Sequence, residues 1–110
     1  MLETLLQKGD VKERCGVVLN DGTVVEIENI AEEPAKGFEM DPVQFLEQLK
    51  TGNVDRTWHT HPDGPPVLSG EDYTTFLAWP SLKHSIIGID EGKVTVMTYH
   101  TEDGAILPCD

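Results

Sequence analysis

A chain of 110 residues with eight basic and twenty acidic side chains carries a net charge of −12. That length suits one compact domain, residues 1–110, and leaves no room for two. The acidity disfavours nucleic acid and anionic membrane surfaces, which need a basic footprint, and favours divalent cations and basic partners. An apolar share of 38% allows a small but real core.

The opening, MLETLLQKGD, has no basic leader and no long apolar run, so it is not read as a signal peptide. No later segment reaches the length of a membrane span. Leu2, Leu5 and Leu6 have helical spacing and Gly9 supplies a stop, predicting a short N-terminal helix. The run CGVVL, the turn NDG and the alternating TVVEIENI predict a β-hairpin over about Arg14 to Asn29, with Val25, Ile27 and Asn29 on one side. AEEPAKGFEM reads as a loop. Asp41-Pro42 supplies an N-cap and a first-turn proline for a helix, with Phe45, Leu46 and Leu49 as its apolar face and Gly52 at its end.

Val54 to His61 reads as a strand broken by PDGPP. A second helix follows from Ser69, with Tyr73, Phe76 and Leu77 at core spacing and Pro80 beyond it. SIIGID and KVTVMTYH are strands joined by DEG. The order α-β-β-α-β-α-β-β predicts an α/β (α+β) domain, a mixed sheet flanked by helices.

The stretch TWHTHPDGPPVLSGEDY carries the chemistry. Residues i and i+2 of a strand share a face, so His59 and His61 project together, roughly 7 Å apart at Cα. Two imidazoles at that spacing suit one Zn²⁺, which usually takes a third protein ligand when catalytic. Asp63 and Asp72 are both candidates for it. Ser69 and Asp72 also fit a capping box, which requires no metal.

The spacing His59, one residue, His61, seven residues, Ser69, two residues, Asp72 resembles the JAMM (JAB, MPN-plus) signature of zinc-dependent isopeptidases. That family has an upstream glutamate at the edge of the first strand, and KERCGVVL is similar to that segment, so Glu13 matches it. By position alone Glu26, Glu28, Glu32, Glu33 and Glu39 are equally upstream. A narrower likeness joins ENIAEEPAKGFEMDPVQFLEQL to the JAB domain of phage minor tail protein K-like proteins, which commonly continues into an NlpC/P60 peptidase. No such second domain follows here, so a standalone or split member is expected.

The resemblance implies a curved sheet between helices in a JAB/MPN fold, and Zn²⁺ on His59, His61 and Asp72. It implies Glu13 as the catalytic proton carrier and Ser69 as a catalytic hydrogen-bond donor to the oxyanion. Two neutral imidazoles and one carboxylate leave zinc with net positive charge, which lowers the pKa of bound water to ~7. The implied activity is metallopeptidase hydrolysis of an amide or isopeptide bond in a protein or peptide. The substrate would be a peptidoglycan crosslink, a tail protein, or a ubiquitin-like or sulfur-carrier protein. The competing readings are a tail-assembly module keeping a structural zinc, and a metal-independent binding domain.

The other residues read blandly. Trp58 should face the core, opposite His59. His84 and His100 should lie on the surface. Cys15 should be a small buried residue. Phe38 and Met40 should serve as core staples or as part of a protein-binding surface. Cys15 and Cys109 are expected as reduced thiols of a cytoplasmic protein, or of one assembled into a virion tail.

Overall fold

The structure is a computed structural model that describes residues 2–109, so the outermost residues of the expected domain, Met1 and Asp110, lie outside the described residues. A 3₁₀ turn, Leu2–Leu5, precedes β1 (Cys15–Leu19), β2 (Val24–Ile27), α1 (Pro42–Lys50), β3 (Val54–His61), α2 (Gly70–Ala78), β4 (Lys83–Asp90), β5 (Lys93–Glu102) and β6 (Ala105–Pro108). The strands form one six-stranded sheet in the order β2-β1-β3-β4-β5-β6. Among the described residues only β3 and β4 are parallel, joined by the crossover through α2; the other pairs are antiparallel. The domain is therefore mixed α+β, as the element order predicts.

Strand pleating assigns the faces. Cys15 pairs with His59, and His59 with Ile86, so these three side chains share a face. On that face Phe45 of α1 packs with Val17, Ile27 and Leu82, and Phe76 of α2 packs with Ile86 and Tyr99. Both α-helices thus cover one side of the sheet. The other side holds Trp58, Ile87 and Leu6, which follows the 3₁₀ turn. Flanking by helices on both sides is corrected accordingly. The single turn does not extend into an α-helix because Gly9 (φ 95°) interrupts it before nucleation is recovered.

Trp58 does face away from His59 into the core and is fully buried. Gly16 lies beside it, and a Cβ there would overlap the Val25 carbonyl and sit 2.8 Å from the Trp58 indole nitrogen. The hairpin forms as expected, with Gly22 at φ 91° in its turn. A last strand, β6, was not expected. Its turn uses Asp103 (φ 51°) and Gly104 (φ 79°), the pair of left-handed residues that a tight hairpin demands.

Asp41 caps α1 through Oδ1, which accepts from the Val43 and Gln44 amides. Two helix faces are rotated from expectation. Leu46 is 50% exposed, because Phe45 and Leu49 form the inward stripe. Tyr73 and Leu77 are exposed at 49% and 44%, because Asp72 and Phe76 take the buried i, i+4 positions of α2.

His84 corrects another expectation: it is fully buried, not on the surface. Its ring stacks on Phe76 at 4.2 Å, Nδ1 lies 2.7 Å from Thr57 Oγ1, and Nε2 lies 3.1 Å from the Trp79 carbonyl. A neutral ring satisfies both partners, with Nε2–H donating to Trp79 and Nδ1 accepting from Thr57. Burial pushes its pKa down to about 4, against the pull of the Trp79 carbonyl. A depressed histidine pKa means the unfolded chain binds the extra proton. Stability is therefore full above about pH 6.5 and declines toward pH 4, by on the order of 3 kcal/mol. Urea melts at pH 7 and pH 4.5 check this, and His84→Gln should flatten the difference.

Candidate metal centre

The site forms where β3 ends and α2 begins, outside the carboxyl end of a parallel strand, a common place for ligands in sheets with crossovers. His59 is fully buried and the His61 side chain is 16% exposed. Their Nε2 atoms lie 3.1 Å apart. Asp72, 2% exposed, reaches both rings: Oδ1 is 2.9 Å from His59 Nε2 and Oδ2 is 3.4 Å from His61 Nε2. Asp63, the other sequence candidate, is exposed in the loop and contacts neither ring among the described residues.

Local sequence explains how Asp72 arrives. Ser69 is the N-cap of α2: its Oγ accepts from the Asp72 amide (3.2 Å), while Asp72 Oδ2 accepts from the Ser69 amide (3.0 Å). This capping box pins the carboxylate in the first helical turn, with Oδ1 left to His59 and Oδ2 shared between the Ser69 amide and His61. The capping and site roles of Ser69 and Asp72 are therefore compatible, because Oδ1 lies outside the cap and Oδ2 accepts from the Ser69 amide while facing His61.

Glu13 comes from far upstream through strand register. Cys15 pairs with His59, and the Thr60 amide donates to the Arg14 carbonyl at 2.9 Å, extending the pairing outward. One step further, Glu13 stands opposite His61 on the same face. One ligand atom from each of Glu13, His59 and His61 lies within 4.8 Å of the others. Both backbone groups of Glu13 are tied to the 29–40 segment: its amide donates to the Pro34 carbonyl (2.7 Å) and its carbonyl accepts from Asn29 Nδ2 (2.8 Å). Asn29 also bonds the Gly37 carbonyl and the Ala31 and Glu39 amides. Sequence reasoning placed Asn29 on one side of the hairpin with Val25 and Ile27 but missed this clamp; an amide in a row of apolar strand positions was the available signal.

The electrostatics follow from crowding. Burial pushes the Glu13 carboxyl up to about 7, and Asp72, Glu71 and Asp63 add to that, while His61 opposes it. Burial also works against an ionised Asp72, but hydrogen bonds from His59, His61 and the Ser69 amide hold it well below the usual carboxylate range. Burial lowers the His59 pKa. For His61 burial is outweighed by Asp72, the Pro65 carbonyl and Glu13, so its pKa rises.

The donor set fits a zinc ion. Zn–N bonds of about 2.0–2.1 Å in a tetrahedron give ligand–ligand edges of about 3.3–3.4 Å. The contacts here are 2.9, 3.1 and 3.4 Å. Two imidazole Nε2 atoms this close repel as lone pairs unless a proton or a cation lies between them. His61 Nδ1 faces the Pro65 carbonyl at 3.2 Å, so Nδ1–H donation leaves Nε2 free to ligate. His59 Nδ1 has no hydrogen-bond partner among the described residues. Its ring is held by packing instead, with Phe38 stacked at 4.2 Å and Phe76 edge-on at 6.1 Å. Phe38 therefore forms a wall of the site and lines the neighbouring groove.

The PDGPP loop borders the site as a fixed strap. Three consecutive carbonyls are engaged: Gly64 by the Ile89 amide (2.7 Å), Pro65 by His61, and Pro66 by the Tyr99 hydroxyl (2.9 Å). Gly88 makes this approach possible. A Cβ there would fall 2.5 Å from Pro66 N and 2.6 Å from the Gly64 carbonyl oxygen. Gly88→Ala should therefore displace the strap, cost about 1–3 kcal/mol in stability and weaken zinc binding by about 10–100-fold through His61. Denaturant melts and competition with a chelator check this.

One cavity opens at the site and a second lies beside it. One of about 430 Å³ is lined by Glu13, His61, Asp63, Ser69 and Asp72. The other, about 840 Å³, runs past Phe38, Phe45 and Trp79 under an acidic rim of Glu32, Glu33 and Glu39. Lys36 and Glu71 line both.

No protein-family model matches this chain, and no curated protein matches it in sequence. Among solved structures it is similar to the solution structure of a protein from Desulfitobacterium hafniense, with a TM-score of 0.75 and 23% identity, covering 99% of this chain and 83% of that one. It is also similar to the solution structure of a protein from Salinibacter ruber, with a TM-score of 0.54 and 17% identity, covering 90% and 75% of the two chains. These likenesses concern the fold alone. No helix among the described residues is long and apolar enough to cross a membrane.

Proposed function

We propose that this chain is a zinc-dependent metallopeptidase of the JAMM type that hydrolyses an amide or isopeptide bond. The observation that carries the reading is the meeting of His59, His61 and Asp72 at one point, with the Glu13 carboxylate beside them. His59 Nε2, His61 Nε2 and the Asp72 carboxylate would hold the ion. Zinc in such a site supplies Lewis acidity toward a carbonyl and activates water near neutral pH.

The chain's own residues supply the rest. The Glu13 carboxylate accepts a proton from the attacking water and delivers it to the departing amine. The Ser69 hydroxyl oxygen already accepts from the Asp72 amide, so its O–H is left to donate to the substrate carbonyl oxygen as charge develops there. The Pro65 carbonyl keeps His61 in the ligating tautomer. The acidic, partly aromatic groove beside the site, which shares Lys36 and Glu71 with the cavity at His61, suits an extended peptide without strong negative charge. The phage-tail likeness of residues 28–49 favours a peptidoglycan crosslink or a tail protein as substrate.

Zinc content and turnover test this together. Purified protein should bind about one equivalent of Zn²⁺, lose melting temperature on chelation, and cleave an isopeptide-linked peptide. Failure to bind zinc, with chelation and His59→Ala both leaving the melting temperature unchanged, would end the reading.

A further inference from the structure

We infer a second reactive centre, a Cys109–His100–Glu102 chain on the opposite sheet face, whose thiol exchanges with small disulfides. The β5–β6 register builds it. Tyr99 pairs with Pro108 and His100 with Leu107. The Cys109 amide donates to the Thr98 carbonyl at 2.7 Å, carrying the pairing one residue past β6. Cys109 therefore stands opposite Thr98. Thr98, His100 and Glu102 follow at i, i+2 and i+4 on one face of β5. The three functional side chains fall in a row: Cys109 Sγ is 3.4 Å from His100 Nδ1, and His100 Nε2 is 3.5 Å from Glu102 Oε2.

The face assignment separates this row from the metal centre. Thr98 Oγ1 is 2.8 Å from Ser85 Oγ, and Ser85 pairs with Trp58, whose side chain points away from His59. The His100 side chain is 37% exposed and Cys109 is half-buried, so a small reagent can reach them. Cys15 is the internal contrast. It is fully buried, its Sγ–H donates to the Ile27 carbonyl, and burial pushes its pKa up to about 12.

The chemistry balances with a disulfide as oxidant. His100 Nδ1 takes the thiol proton, and the Glu102 carboxylate faces the resulting imidazolium from its far side. The Cys109 thiolate attacks one sulfur of the disulfide; that S–S bond breaks as the new one forms. The leaving thiolate takes the proton from His100. The protein thiol ends as a mixed disulfide, and half of the small disulfide is reduced to a thiol.

The test is timed reaction of the full chain with oxidised glutathione and, separately, with an aromatic disulfide at pH 6.5 and pH 8. One thiol per chain should react, mapped to Cys109 by mass spectrometry, on the order of tenfold faster at pH 6.5 than free cysteine. His100→Gln should remove that advantage, and Glu102→Gln should reduce it. The wild-type pH profile and Glu102→Gln decide the matter if His100→Gln fails to fold. A free-cysteine rate at Cys109 with the ordinary pH profile, or Cys15 reacting first, would overturn the inference. Zinc binding plays no part in this readout, so its outcome is independent of the metallopeptidase reading.

Discussion

Asp72→Ala is expected to abolish zinc binding and to lower stability by about 3–5 kcal/mol, because it strips a buried partner from two imidazoles and a cap from a helix. All of the carboxylate is in use. Oδ1 serves His59, and Oδ2 serves His61 and the Ser69 amide. The side chain is 2% exposed, so its removal strips a partner from groups that are themselves largely buried. About 1 kcal/mol of the loss belongs to the capping box. Asp72→Asn separates the parts: its amide oxygen can still accept from Ser69 and keep the cap, while the charge that complements the metal is gone. Urea melts and metal analysis of the two variants should therefore diverge, with Asn recovering stability but not zinc. Full zinc content in Asp72→Ala, or a stability within about 1 kcal/mol of the parent, would remove Asp72 from the site.

Glu13→Gln should lower kcat/KM by about 10²–10⁴-fold, the usual contribution of a positioned proton carrier, while zinc content and fold persist. The structural ties of Glu13 run through its backbone, to Pro34 and Asn29, and glutamine keeps both. Its side chain sits among the negative charges of Asp72, Glu71 and Asp63. Neutralising it should leave the melting temperature equal or slightly higher. Turnover of an isopeptide-linked peptide, zinc stoichiometry and a thermal melt read the three quantities. Undiminished turnover with bound zinc would point to another proton carrier. Loss of zinc would make Glu13 a ligand.

Much of this site is legible in the linear chain because its parts are local. The i, i+2 histidines, the capping residues and the loop prolines lie within one short stretch, and alternation and capping rules act over such distances. Glu13 is legible only by resemblance. Its nearness to His61 is a matter of register between strands, which pattern alone leaves open. The misjudged residues share a cause. Tyr73 and Leu77 look like core by hydropathy, but α2 turns Asp72 inward toward the histidines and so carries its apolar neighbours outward. His84 looks like a surface residue until Thr57 and Trp79, one from the adjacent strand and one from the helix end, supply its two partners. The loop from Ala31 to Met40 looks shapeless, yet the side-chain amide of Asn29, just before it, organises it.

The pleat makes the site a matter of parity. Glu13 stands two residues before Cys15, an even step, and Cys15 faces His59 across the ladder. Inserting or deleting one residue between them would swing the carboxylate through the sheet, toward Trp58 and the 3₁₀ turn, with every strand still paired. The irregularity in the β1–β3 ladder falls between Val18 and Leu19, on the far side of Cys15, where it leaves this count untouched. Length can therefore vary at the hairpin tip, whereas the three residues from Glu13 to Cys15 tolerate no odd change.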